Sequence, residues 1–298
     1  MKKVIGIDLG GTSIYGGIID EEGRVLKKAS SESSGEAGRE TVLENIIKVI
    51  KELLEGEEVQ AIGLGSPGHI DAKEGKVLSI GGNIHNWAYT DIRGELSKVF
   101  EDIPIFVEND ANVAIICEQW LGAAKELDTA IMITLGTGVG GGIYSNTGIW
   151  YGENYKGAEL GHVVVYPNGR KCGCGQKGCV EQYVSGSAVE NMYCELTGRK
   201  IKGQYIFENA EKDEICGKIV SEFIENLGIF LISLKNIFDP AGIIIGGGVI
   251  NSREYWWDET IRYYNENCNS PEGTKILAAE FLNDAGMIGA AKVALDNI

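Results

Sequence analysis

At 298 residues the chain can form one large domain or two of ordinary size, with a sizeable core in either case. Its 43 acidic residues against 27 basic ones leave a formal net charge of −16, which repels nucleic-acid phosphates and anionic membrane surfaces. Seven cysteines, with Cys117, Cys194, Cys216 and Cys268 scattered, no signal-peptide pattern and no apolar run long enough to span a bilayer point to a reducing, cytoplasmic setting without nucleic-acid or membrane partners.

In chain order, residues 4–8 and 13–20 read as strands joined by Leu9-Gly10-Gly11-Thr12, and Gly23 turns the chain into a third strand over 24–28. Residues 41–54 place Val42, Ile46, Ile47, Val49, Ile50, Leu53 and Leu54 at helical spacing, an amphipathic helix that covers this meander. Short buried strands follow at 59–64 and 103–107, and a helix over 111–121 leaves directly from Glu108-Asn109-Asp110. This alternation predicts a mixed sheet with parallel members. A second unit begins near Thr129, where the strand 130–135, the turn Gly136-Thr137-Gly138 and a returning strand repeat the logic of the first twenty residues, a short likeness that suggests a duplicated lobe. A long helix over 213–238 is stopped by Asp239-Pro240, an apolar strand over 242–245 opens into Gly246-Gly247-Gly248, and an Ala-rich helix over 287–295 closes the chain.

The densest chemical signal is His162 followed by Cys172-Gly173-Cys174 and Cys179, a plausible ligand set for one tetrahedral Zn²⁺. A disulfide pair or unrelated buried thiols are the alternatives, although Gly173, Gly175 and Gly178 suit a tight loop around an ion. The two Gly-Thr turns offer successive backbone N–H groups and a hydroxyl, as a phosphate cradle requires; ordinary tight hairpins explain each turn equally well. Asp8, ending the first strand, is placed either to hold Mg²⁺ or to cap its turn. Asp110 is placed either to accept a proton from an attacking alcohol or to cap the helix that follows it. Asn83, Asn109, Glu159 and Glu181 supply the acceptors that would hold a polyol, His162 offers a second ring nitrogen to the same ligand, and His69 and His85 read as loop residues.

Together, Asp8-Leu9-Gly10-Gly11-Thr12, Glu108-Asn109-Asp110-Ala111-Asn112, Leu135-Gly136-Thr137-Gly138, Glu159-Leu160-Gly161-His162 and the segment Cys172 to Glu181 resemble the ROK family of repressors and sugar kinases, in the family's order and over nearly the whole chain. The resemblance implies an α/β fold, the two-lobed actin-like ATPase (duplicated ribonuclease H-like) architecture with mixed sheets and an interlobe cleft. The expected lobes are 1–112, completed by the helix 287–298, and 113–286 with the zinc loop. It implies ATP with Mg²⁺, a structural Zn²⁺ and a homodimer. The implied reaction is phosphorylation of a hexose 6-hydroxyl, with glucose expected and N-acetylglucosamine, N-acetylmannosamine, fructose, mannose or allose as alternatives. By residue, it implies Asp110 as general base; Asn83, Asn109, Asp110, Glu159, His162 and Glu181 as sugar contacts; His162, Cys172, Cys174 and Cys179 as zinc ligands. Asp8, Gly10, Gly11, Thr12, Thr137, Gly138, Gly247 and Gly248 are assigned to ATP. Repressors of the family carry an N-terminal helix-turn-helix, for which a phosphate loop beginning at residue 8 is expected to leave no room, and a silent sugar-binding regulator sits poorly with both retained turns and Asp110. The chain departs from the family at Gly82-Asn83-Ile84-His85-Asn86-Trp87, where only Asn83 and Trp87 keep their places.

Overall fold

The computed structural model describes residues 2–79 and 84–298, and the chain divides into two compact units. The first holds Met1–Lys125, Tyr151–Gly157 and Asn283–Ile298; the second holds Glu126–Trp150 and Ala158–Leu282. The first unit therefore continues past residue 112. The helix Asp110–Trp120 buries Val113, Ala114, Ile115 and Cys117, and it packs along the C-terminal helix Ala285–Asp296. The apolar face that makes this segment helical also keeps it with the first core.

The first unit opens with the meander β1 (Lys3–Leu9), β2 (Ser13–Asp20) and β3 (Val25–Glu32), then α1 (Arg39–Leu54) and β4 (Ile62–Ser66). A small hairpin, β5 (His69–Asp71) and β6 (Lys76–Ser79), and α2 (Ile92–Ser97) precede β7 (Ile105–Asn109) and α3 (Asp110–Trp120). The sheet order is β3-β2-β1-β4-β7, antiparallel through the meander and parallel from β1 to β7. His69 is thus a strand residue and not a loop residue, with its Nδ1 2.5 Å from Ser79 Oγ.

One face of this sheet buries Ile5, Ile7 and Leu9 in a core with Val42, Ile46, Val49 and Ile50 of α1. Each such side chain contributes roughly 1.5–3 kcal/mol of transfer free energy. The C-terminal helix lies on the sheet with little side chain between. A Cβ on Gly6 would stand 2.0 Å from Met287 O, and one on Gly63 would stand 1.8 Å from Ala290 O. These two glycines let helix backbone rest on strand backbone, which brings the helix's first turn to the end of β1, where Asp8 is.

The second unit has β8 (Ala130–Leu135), β9 (Val139–Ser145) and β10 (Gly148–Ile149), then the helices α4 (Glu181–Val184), α5 (Gly186–Thr197), α6 (Gly203–Glu208) and α7 (Glu214–Phe238). It closes with β11 (Gly242–Gly246), α8 (Trp257–Asn267) and β12 (Lys275–Ala278). The sheet order, β10-β9-β8-β11-β12, repeats that of the first unit: hairpin strands antiparallel, two further strands added in parallel. This shared order is the structural counterpart of the short sequence likeness between the two Gly-Thr turns. α7 is capped by Asp213, whose Oδ1 accepts from Ile215 N and Cys216 N at 2.8 and 3.0 Å, and it ends at Asp239 in a left-handed conformation before Pro240. Near the C-terminal end of this unit Trp256 and Tyr264 are fully buried in the core, and Trp257 and Tyr263 are half-buried.

Candidate active site and metal centre

In the first unit the parallel strands β1 and β7 flank β4; Asp8 is next to last in β1, and Asp110 follows β7 directly as the first residue of α3. The Asn-Asp pair at the start of α3 divides its work. Asn109 is the helix cap, its Oδ1 accepting from Ala111 N at 2.9 Å and Asn112 N at 3.2 Å, and its Nδ2 donates to Gly68 O at 3.0 Å. The cap role that would have explained Asp110 belongs to its neighbour. Asp110 is exposed at the first helical position, its Oδ1 accepting from Ala111 N at 2.8 Å.

Asp8, at the end of β1, is half-buried, and burial followed by the negative charge of Asp110 raises its carboxyl to about 7 from an ordinary 3.8. A carboxylate whose ionised form is opposed by a neighbouring carboxylate makes with it a donor set that suits a divalent cation. Room for the Asp8 carboxyl comes from Gly286 in the C-terminal helix, where a Cβ would lie 2.4 Å from Asp8 Cγ. The β1–β2 turn beside it is closed by Gly10 N donating to Ser13 O at 2.8 Å, with Gly11 and Thr12 exposed and Gly11 O accepting from Ser33 Oγ at 2.9 Å.

Beneath Asp110 sits Glu108, an acid of the same motif to which the sequence pattern assigns no role. Glu108 is 2% exposed; its Oε1 accepts from Asn109 N at 2.7 Å and Asn112 Nδ2 at 2.9 Å, and its Oε2 accepts from the Tyr151 hydroxyl at 2.6 Å. Burial raises its carboxyl above the ordinary range, against the opposing pull of these donors. Tyr151 lies on the segment Tyr151–Gly157 that returns to the first unit, and nothing in its sequence neighbourhood marks it. Trp87 is buried, its Nε1 donating to Ser66 Oγ at 3.0 Å at the end of β4. Asn83 lies outside the described residues.

In the second unit the β8–β9 turn is closed by Gly136 N donating to Gly138 O at 2.9 Å, and Thr137 is exposed at its tip. The start of α5 abuts it, with Gly186 N donating to Gly136 O at 2.7 Å. Gly247, at φ 82°, packs its backbone against the end of β8, where a Cβ would stand 2.5 Å from Leu135 O; Gly248 faces open space. Thr137, Gly138, Gly247 and Gly248 therefore gather at one end of this sheet.

The same unit brings the four expected metal ligands together. His162, Cys172, Cys174 and Cys179 place their donor atoms within 4.8 Å of one another. Cys174 and Cys179 Sγ are 3.6 Å apart, and Cys172 Sγ is 3.7 Å from His162 Nδ1. Tetrahedral zinc with sulfur bonds of about 2.3 Å has ligand–ligand edges near 3.8 Å, so the donor set and its spacing fit Zn²⁺. None of the seven cysteines is bonded to another, so this loop holds no disulfide. The His162 ring divides its nitrogens: Nδ1 faces Cys172, and Nε2 approaches Glu159 Oε2 at 3.9 Å. Glu159 is exposed, and Glu181 is half-buried with its Oε2 accepting from Val139 N at 3.0 Å.

Among the described residues no helix is long and apolar enough to cross a membrane. The chain is 34% identical to a glucokinase of Thermotoga maritima, with 99% of this chain and 98% of the relative covered. Among solved structures it is similar to a ROK hexokinase from Thermus thermophilus, with 33% identity, a TM-score of 0.89 and 99% and 98% of the two chains covered. It is similar also to a ROK family glucokinase from Streptomyces griseus in complex with glucose and AMPPNP, with 33% identity, a TM-score of 0.85 and 99% of both chains covered. These neighbours have the actin-like ATPase fold that the paired sheet topologies reproduce. With the ROK family model matched over residues 4–297, this chain belongs to the ROK family.

Proposed function

We propose that this chain transfers the γ-phosphoryl group of ATP to the 6-hydroxyl of glucose. Asp110 is the general base: it takes the proton of the hydroxyl as that oxygen attacks phosphorus, the P–O bond to ADP breaks, and the products are glucose 6-phosphate and ADP. The observation that carries this reading is the division of labour at the start of α3, where Asn109 caps the helix and leaves Asp110 exposed beside Asp8.

Asn109, Glu159, His162 and Glu181 are the proposed sugar contacts, together with Asn83. The β1–β2 turn and the turn carrying Thr137 and Gly138, with Gly247 and Gly248, are the proposed phosphate and nucleotide contacts. Asp8 is the proposed holder of Mg²⁺, which when bound neutralises phosphate charge. His162, Cys172, Cys174 and Cys179 would hold Zn²⁺, which with four protein ligands has a structural role and fixes the loop that carries Glu181. A homodimer in the cytoplasm completes the proposal, and sedimentation velocity tests the dimer.

The deciding experiment pairs Asp110→Asn with the parent protein in an ADP-release assay over glucose, the two N-acetylhexosamines, fructose, mannose and allose. Glucose is expected to give the highest kcat/KM, and the variant to lose about 10²- to 10⁴-fold in turnover while glucose still binds by calorimetry. A variant that keeps its turnover removes Asp110 from the chemistry.

A further inference from the structure

Glu181 touches two features of the second unit, the β8–β9 turn and the cysteine loop. Its Oε2 accepts from Val139 N at 3.0 Å, where the β8–β9 turn becomes strand. A Cβ on Gly138 would stand 2.4 Å from the same oxygen, so the carboxylate lies directly on the backbone of the turn. Its Oε1 is 3.8 Å from Cys172 Sγ, and Gln182 Nε2 spans the pair, 3.4 Å from Glu181 Oε1 and 3.6 Å from Cys172 Sγ.

The backbone ties Glu181 to the cysteine loop as well. Glu181 opens α4 two residues after the buried Cys179; Val180 N donates to Val163 O at 2.9 Å, and Val164 bridges Cys179. Where this carboxylate stands is decided by how the loop is folded.

We infer that Glu181 is a positioning residue that transmits the state of the His162, Cys172, Cys174 and Cys179 cluster to the Thr137-Gly138 turn, so that loading the cluster tightens nucleotide binding as well as sugar binding. A backbone N–H held by a carboxylate is a charge-assisted bond, stronger than a neutral one, and it fixes the first peptide after the turn. An ordered loop holds Glu181 in place, and Glu181 holds Val139; a disordered loop releases both. Gln182 supplies the donor that lets a carboxylate and a cysteine sulfur remain neighbours when that sulfur carries charge in a metal complex. The inference rests on the reading of Thr137-Gly138 as a phosphate turn.

The test uses the full chain without sugar, follows hydrogen exchange over residues 136–142, and measures ADP affinity by calorimetry. The parent protein is compared before and after metal removal, and with Glu181→Ala and Glu181→Gln. ADP is expected to slow exchange over 136–142 in the parent. Glu181→Ala should speed exchange there and weaken ADP binding by about tenfold with zinc content unchanged, as loss of a hydrogen bond to a charged group predicts. Glu181→Gln, whose amide oxygen still accepts from Val139, should recover most of the affinity, and metal removal should reproduce the alanine result. If ADP slows exchange in the parent while Glu181→Ala and metal removal leave affinity and exchange untouched, the coupling is overturned and the phosphate turn survives. If ADP binds without altering exchange over 136–142, the phosphate-turn reading fails and this inference fails with it.

Discussion

The Tyr151 hydroxyl donates to Glu108 Oε2 at 2.6 Å across 43 residues of sequence, pinning the segment Tyr151–Gly157 to the strand end that carries Asp110. Glu108 is the buried hub of that strand end, since Asn109 N and Asn112 Nδ2 share its other oxygen. Tyr151→Phe removes one donor from a buried carboxyl and should cost about 1–3 kcal/mol, read from urea unfolding midpoints. The sign with pH is defined. The Tyr151 bond favours the charged form of Glu108, so its loss raises the carboxyl further above its unfolded value. The folded variant then keeps its extra proton to higher pH, and its deficit relative to the parent should be larger at pH 8 than at pH 5.

Asp8 gives a pH dependence to the unliganded protein. Its folded value of about 7 lies above the ordinary 3.8, so between those values the folded chain holds a proton that the unfolded chain has released. Stability from this group is complete below pH 4 and is lost as pH rises toward 7, with a limiting slope of about 1.4 kcal/mol per unit. Because the Asp110 charge contributes to the shift, Asp110→Asn should lower the Asp8 titration and end the loss of stability at a lower pH. Thermal melts from pH 4 to 8 and carboxyl carbon NMR check both; an unchanged Asp8 titration in the variant would separate the two acids.

Gly286→Ala sets a local gain against a functional loss. Alanine is favoured over glycine in a helix interior by about 1 kcal/mol, and Gly286 lies in the first turn of the C-terminal helix. Its Cβ, however, would stand 2.4 Å from Asp8 Cγ and 2.5 Å from Asp8 Oδ2. The aspartate must swing aside. The expected outcome is a chain that melts near the parent temperature but needs several-fold more Mg²⁺ for half-maximal turnover, measured by magnesium titration at saturating sugar and ATP. Parent-like magnesium dependence would argue that Asp8 does not hold the cation.

Much of this architecture was legible in the residues. Runs such as Val4-Ile5-Gly6-Ile7 and Ala130-Ile131-Met132-Ile133 are apolar, bounded by Gly-Thr turns and long enough to declare strands, and both lie at sheet centres. The helix Trp257–Asn267 leaves little apolar signal in the sequence, because only Thr260 and Tyr264 are buried. β5 and β6, of three and four residues, are too short for alternation to show. At the site, Asn109 and Asp110 are both good caps, and the choice between them depends on the Gly68 carbonyl that holds the Asn109 amide. Local pattern has no access to contacts of that kind. The neighbours of Glu181 in sequence suggest an acceptor for sugar but carry no sign of its backbone donor Val139, 42 residues away.

The cysteine loop offers the most direct chemical test. Between Tyr166 and Cys179 the chain has little regular structure, only the isolated bridge Lys171 to Lys177, and most of its side chains are exposed. Such a loop buries too little apolar surface to offset its conformational entropy, so the ion is expected to supply the order. Purified protein should carry about one zinc per chain. Cys174→Ser replaces an exposed ligand without opening a cavity, so loss of metal is its main effect. The variant should lose most of its zinc, become open to proteolysis between residues 166 and 178, and bind glucose more weakly, because the His162 ring loses the partner that aims Nε2 at Glu159. Cys194→Ser, outside the cluster, serves as the control and should retain both metal and protection. Elemental analysis with limited proteolysis reads the outcome: metal-free parent protein with an intact, protease-resistant loop would mean that the four donors converge without needing an ion.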